Sequence, residues 1–315
     1  MGYGKQVKYL TPVLVIFVFA IIYFASNCLL TDSSSRVPPA FYQDTEKRTR
    51  GDGVFSKGEV FRGYNAQQST HFVPKIVWLA ERPTGDIIFA SCDGNYFREH
   101  AASFVSSANI AGNNVHVHVV NPKEYTKAQI SDISGLKVNI SVTFSLEYTS
   151  LASLEEKTYF ASNRFMTGSQ LLEEATRVMI VDIDCLLMSH IEFPENKDLG
   201  LFLRESAPGT SGWVALGTKV AAGMVFVTRD SKDFLLGVQR RILEHGLVWY
   251  VDQVALYEQF IDGGWDRNPR FFNFNNGHLD WEFTEGSKIW TGKGDRKNSN
   301  EVYVEKKKYF AQRLG

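Results

Sequence analysis

The sequence predicts an α/β protein: a mixed, mostly parallel sheet flanked by helices, with an N-terminal transmembrane helix. Three observations predict it. Short apolar runs alternate with helical patterns from Pro74 onward, and two acidic clusters fall at the carboxyl ends of such runs. One uncharged stretch near the N-terminus is about the length of a bilayer core, roughly 20 residues.

That stretch is LTPVLVIFVFAIIYFASNCLL, residues 10–30. It is longer than a secretory h-region, roughly 7–15 residues, and ASNC is a poor cleavage site, so an uncleaved signal anchor is preferred to a cleaved signal peptide. Lys5 and Lys8 precede the span and only Arg36 follows it closely. The positive-inside rule then makes residues 1–9 a cytosolic tail and gives a type II, single-pass topology. Residues 31–72 are rich in Ser, Pro, Gln and charge and have the composition of a stem. Residues 73–315 form the globular body.

Within the body, DIIFASC (86–92) is a short apolar run suited to a buried strand. A helix follows, with Phe97, Ala101, Phe104, Val105 and Ala108 at helical spacing and Gly112 as its stop. NVHVHVVN and VNISVTF (138–144) are predicted strands with a turn at Asn121-Pro122 between them. A helix over about 154–175 leads into the strand RVMIVDID; AAGMVFVT is a further strand and SKDFLLGVQRRILEHG an amphipathic helix. Such repeats favour parallel strands, whose ligands bind beyond their carboxyl ends.

Composition narrows the function. A net charge of −1 lacks the basic surplus that phosphate neutralisation requires, so nucleic acid is excluded as a partner. Three cysteines define no disulfide framework; two buried free thiols at Cys92 and Cys185 are preferred to a bridge between them. His116 and His118 alternate along a strand with no third ligand beside them, and belong to a sheet face. The sequon Asn139-Ile140-Ser141 is read as a chance occurrence in a strand, and Lys306–Lys308 as a solvated helix face.

The chemistry centres on MIVDIDCLL. If Asp182 and Asp184 continue the strand, their carboxylates point to one side, and two like charges held together call for a cation between them. Hard oxygen ligands suit Mg²⁺ or Mn²⁺, which also binds diphosphate. The competing readings are a solvated strand end and a haloacid-dehalogenase-type phosphatase with Asp182 as nucleophile. The latter motif usually continues with Gly or Thr and opens its domain, whereas here Cys185 and Leu186 follow and α/β sequence comes before.

Together with FASCDGNYF, the pattern over residues 85–300 resembles glycosyltransferase family 8 and its GT-A, Rossmann-like relatives. The resemblance implies a metal-dependent, retaining transfer of a hexose from a UDP-sugar to a glycan, protein or lipid acceptor. It implies that Asp93, Asn95 and Tyr96 hold the uridine, that Arg164 contacts the diphosphate or sugar, and that Asp182 and Asp184 bind Mn²⁺ or Mg²⁺. Asp252 and Gln253 match the D-Q pair beside the donor sugar and are the catalytic candidates. Gly294 and Lys297 match the closing diphosphate-binding segment, with Arg296 nearby. The sequence departs from the family pattern in two places: Ala221 stands where an Asn is usual, and Thr291 where the third metal ligand, a His, is usual. A non-catalytic nucleotide-sugar binder therefore stays as an alternative.

Other readings remain beside these. Asp252 suits the cap of a helix starting near Gln253, and Arg164 suits a helical salt bridge. The aromatic- and amide-rich segment 262–283 suits either an acceptor site or loop packing. A lumenal body needs sugar nucleotides on its own side of the membrane, which implies the Golgi in a eukaryote and a cytosol-facing body in a bacterium.

Overall fold

The computed structural model describes residues 74–314, apart from residue 152. The predicted tail, transmembrane span and stem lie outside the described residues. Among those that are described, no helix is long and apolar enough to cross a membrane.

An eight-stranded sheet runs through the molecule. In chain order its strands are β1 (Val77–Leu79), β2 (Gly85–Asp93), β3 (Val115–Val120), β4 (Val142–Glu147), β5 (Ala175–Val181), β7 (Leu199–Leu203), β8 (Val220–Thr228) and β9 (Phe271–Asn273). Their spatial order is β1-β4-β3-β2-β5-β8-β7-β9. The pairs β4/β3, β3/β2, β2/β5 and β7/β9 are parallel, while β1 and β8 are antiparallel to their neighbours. Six strands therefore point one way and two the other. AAGMVFVT is a strand as predicted, but its reversed direction brings its beginning beside the end of β5, with Met224 opposite Val181.

Alternation along the strands divides the core into two layers. In β2, Ile88, Ala90 and Cys92 face one layer and Ile87 and Phe89 the other; β5 repeats this with Met179 and Val181 against Val178 and Ile180. The first layer is closed by α1 (Gly94–Ala111) through the five apolar positions predicted from its spacing. Burying each of its two phenylalanines contributes about 1.5–3 kcal/mol. Gly112 ends the helix at φ 76°, a left-handed conformation that glycine adopts without strain. On the other face lie α3 (Ser153–Leu171), α5 (Lys232–His245) and α6 (Val251–Asp262), packing Phe165, Phe234, Val238 and Leu256. The remaining helices are α2 (Glu124–Ser134), α4 (Gly212–Gly217), α7 (Arg296–Ser299) and α8 (Glu301–Gln312).

A second sheet joins β6 (Cys185–Leu187), β10 (Leu279–Asp280) and β11 (Ile289–Thr291), with Thr291 opposite Cys185. It carries the segment after β11 across the carboxyl edge of the main sheet, over Asp184.

Three local expectations change. VNISVTF becomes strand only at Val142; Asn139 is exposed before it, its N–H donating to Asn109 Oδ1 at 2.8 Å and that of Ser141 to Asn114 Oδ1 at 2.9 Å. His116 and His118 do occupy a sheet face, but a buried polar one. His116 meets Thr143 and Ser145, and His118 meets Ser145 and Glu147, at 2.8 to 3.1 Å. Glu147, only 2% exposed, also accepts from Tyr159 Oη and from Asn163 Nδ2. Lys307 pairs with Glu99 at 3.1 Å, so the Lys306–Lys308 run is not wholly a solvated face.

Candidate functional site

A cleft of about 700 Å³ opens at the carboxyl edge of β2 and β5 and the adjoining start of β8. Nine of the ten site residues named from the sequence line it: Asp93, Tyr96, Arg164, Asp182, Asp184, Asp252, Gln253, Gly294 and Lys297. These come from parts of the chain some two hundred residues apart, and the sheet's strand order brings them together.

The tenth, Asn95, does not line the cleft. Its Oδ1 accepts from Tyr125 Oη at 2.7 Å, tying the start of α1 to α2. Asp93 ends β2 and caps α1, its Oδ1 accepting the N–H of Asn95 at 2.6 Å and of Tyr96 at 3.1 Å. Lys297 Nζ lies 4.5 Å from the centre of the Tyr96 ring and hydrogen-bonds its hydroxyl, so the two motifs farthest apart in sequence share one wall.

Asp182 and Asp184 bracket a turn at residues 183–184 instead of continuing the strand, and Cys185 N–H closes it by donating to Asp182 O at 3.2 Å. Arg164 Nη1 is 2.6 Å from Asp182 Oδ1; its Nη2 donates to Ala222 O at 3.2 Å and lies 3.5 Å from Asp252 Oδ2. Its side chain is 7% exposed, so the surface salt-bridge reading is set aside. Lys297 Nζ is 3.6 Å from Asp184 Oδ2, and the Asp184 carbonyl accepts from Tyr303 Oη at 2.5 Å. Burial, reinforced by the charge of Asp182, pushes the Asp184 carboxyl up to about 7 against the pull of Lys297 and Arg164. Burial raises Asp252 as well, opposed by Arg164. Cys92 and Cys185 are free and buried, and burial together with the neighbouring aspartates pushes both thiols well above their usual range. They are inert, protonated packing groups.

Asp252 is the second residue of α6, not its cap; the cap position is Tyr250, at φ 70°. Gln253, with its amide turned to satisfy both partners, donates to Gly217 O at 2.9 Å and Val220 O at 2.8 Å. It secures the α4–β8 connection while lining the cleft. Arg296 points away: Nη1 donates to Trp281 O at 3.1 Å and pairs with Glu282 at 2.5 Å. Within the segment 262–283 only Leu279 and Trp281 line the cleft, and Phe274 and Phe283 are buried.

The donor set at the centre fits a hard divalent cation. Mg²⁺ commonly takes one or two protein carboxylates and completes its shell with water and substrate phosphate. Gly223 leaves room for this arrangement, because a β-carbon there would stand 2.7 Å from Asp182 Oδ2. Among the described residues, no group of three or more His, Cys, Asp or Glu side chains is placed to hold a metal ion. Thr291 is buried at the register position opposite Cys185 and hydrogen-bonds its thiol, so it does not replace the expected histidine.

Sequence reasoning missed Lys293, Trp281 and Tyr303 as individual site residues. Lys293 lies inside the TGKGDRK segment that pointed to Gly294 and Lys297, and its own lysine was the available signal. Tyr303 acts through its hydroxyl on a backbone carbonyl, which leaves no sequence pattern. The sequence matches no family model and no curated protein, so fold and cleft carry the functional reading.

Proposed function

We propose that this protein is a glycosyltransferase of the GT-A type that moves a hexose from a nucleotide sugar, a UDP-sugar, to a hydroxyl-bearing acceptor. The observation that carries the reading is the convergence of Asp93, Tyr96, Asp182, Asp184, Arg164 and Lys297 on one cleft at the carboxyl edge of the sheet. Ligands of open α/β sheets bind at that edge.

In this reading, Asp93 and Tyr96 receive the nucleoside end, with the Asp93 carboxylate accepting from base or ribose and Tyr96 offering its ring. The diphosphate lies beside Lys297 and the carboxylate pair, drawing Lys297 from its 3.6 Å pairing with Asp184. When the C1–O bond to the diphosphate breaks, the bonding electrons stay on the phosphate oxygen, and Lys297 stabilises that charge from a fixed position. The acceptor oxygen bonds to C1 and its proton leaves to the departing phosphate. Asp252, fixed by Arg164, accepts hydroxyls of the transferred sugar. A divalent ion on Asp182 and Asp184 would supply Lewis-acid stabilisation of the diphosphate. Retention of configuration is what the family resemblance implies.

Arg164 holds one oxygen of Asp182 at 2.6 Å, which disfavours its use as a phosphatase nucleophile. A non-catalytic nucleotide-sugar binder is favoured by one observation, Thr291 in place of a third metal ligand. A hydrolysis screen of UDP-sugars with Mn²⁺ or Mg²⁺ tests the proposal, comparing the parent with Asp184→Asn. Release of UDP by the parent and not by the variant is expected. Equal release by both sinks the metal assignment, and UDP binding without any release selects the binder.

A further inference from the structure

Two cations meet on the ring of Trp281: Lys293, which lines the cleft as Trp281 does, and Arg204 beside it. Lys293 Nζ lies 5.1 Å from the centre of the Trp281 ring, and the Arg204 guanidinium carbon lies 4.8 Å from the same ring. Among the described residues, neither side chain has an acidic group within ion-pair distance. The neighbouring cations each have an acidic partner: Arg164 pairs with Asp182 and Asp252, Lys297 with Asp184, and Arg296 with Glu282. Burial, together with the nearby positive charge of Arg204, lowers Lys293 below the usual lysine range. Two unpaired like charges on one indole are a cost that an anion between them would relieve.

The arrangement is also fixed in place. Phe202 stacks on Trp281 with ring centres 5.8 Å apart. Arg204 directly follows β7, and its N–H donates to Lys219 O at 2.8 Å. The Lys293 N–H donates to Thr291 O at 3.0 Å.

Position separates Arg204 from the nucleoside end. Asp93 terminates β2, Asp182 follows β5, Gly223 lies near the start of β8 and Arg204 follows β7, and these strands are neighbours in that order. Three strand spacings, about 14 Å, therefore separate the strand ends that carry Asp93 and Arg204. We propose that Lys293 and Arg204 form an anion subsite for the acceptor, which is a sugar bearing a carboxylate, sulfate or phosphate monoester. This rests on the glycosyltransferase reading, with the carboxylate pair lying between donor nucleoside and acceptor anion.

The test uses the full chain and measures binding of methyl glucuronide, glucose 6-phosphate and methyl glucoside, with UDP plus Mn²⁺ measured in parallel. Parent, Arg204→Gln and Lys293→Gln proteins are compared after their melting temperatures show that they are folded. The parent should bind at least one of the charged sugars about tenfold or more tightly than methyl glucoside, and each variant should lose about tenfold of that affinity. UDP affinity should stay within about twofold of the parent in Arg204→Gln, since Arg204 lies outside the lining of the donor cleft. Which charged sugar binds identifies the anion as carboxylate or phosphate. Equal affinity for glucoside and both charged sugars overturns the subsite. A fall in UDP affinity in step with the charged sugar in Arg204→Gln also overturns it, by assigning the cations to the donor phosphates. A parent that binds charged sugar but no UDP retains the anion site and overturns the transferase reading instead.

Discussion

Replacing Gly223 with alanine probes the carboxylate pair with a single methyl group. The added carbon would lie 2.7 Å from Asp182 Oδ2 and 3.4 Å from Leu279. Real side chains essentially never approach within 3.0 Å, so something must move. Reaching an ordinary contact near 3.5 Å requires a shift of about 0.8 Å. The backbone of Gly223 is not in the left-handed region, so alanine itself is accommodated. The yielding atom is the end of a side chain that is 31% exposed, held on its other oxygen by Arg164 at 2.6 Å. Asp182 must therefore turn while the strand stays. Positioned groups tolerate displacements of only about 0.5 Å, and a 1 Å misplacement costs up to about a hundredfold in rate. Metal-dependent release of UDP from a UDP-sugar should fall about 10- to 100-fold. Stability should fall by only about 1 kcal/mol, or about 2–4 °C in melting temperature. The assays are a coupled UDP-release measurement across a Mn²⁺ titration and a thermal melt. A Gly223→Ala protein that matches the parent in rate and in metal requirement refutes the role given to Asp182.

Three further outcomes follow from the structure. Lys297→Met removes the ammonium that meets Asp184 and Tyr96, and should weaken UDP binding about tenfold by titration calorimetry; unchanged affinity removes Lys297 from the donor site. Glu147→Ala leaves Tyr159, Asn163 and His118 facing a buried gap, and should cost roughly 3–5 kcal/mol in urea unfolding; a loss under about 1 kcal/mol contradicts the network. His100 is fully buried, and burial, aided by Lys307, lowers it to about 4 from 6.5. Its folded value lies below its unfolded one, so its contribution is complete above about pH 6.5 and is lost as pH falls through 4. The difference corresponds to about 3 kcal/mol, so His100→Phe should lose less stability between pH 7 and pH 4 than the parent; equal losses contradict it.

Much of this architecture is legible in local pattern. The five apolar residues of α1 and its Gly112 stop specify a helix and the layer it closes, because helical spacing and a left-handed cap are both written locally. The ends of β2 and β5 announce themselves as charges following largely apolar runs. Strand direction is not local: β8 reads as apolar whichever way it runs, and its reversal appears only when the sheet is assembled. The same limit applies within the site. Asn95 stands one residue from Tyr96 in a matched motif, yet the first turn of α1 sends its side chain to Tyr125. Arg296 adjoins Lys297, and the short helix α7 directs it to Glu282. Adjacent residues on a helix point about 100° apart, so a motif match does not place both in one cleft. Arg204 reaches Trp281 through a contact between distant segments, for which the sequence carries no periodic signal.

The most direct measurement is the affinity of the full-length protein for UDP, by titration calorimetry, with Mn²⁺ and then with EDTA, in the parent and in Asp184→Asn. The parent should bind UDP with an affinity that weakens about tenfold or more when the ion is removed, and the variant should be indifferent to the ion. Equal affinity with and without the ion, or no binding of UDP under either condition, contradicts it.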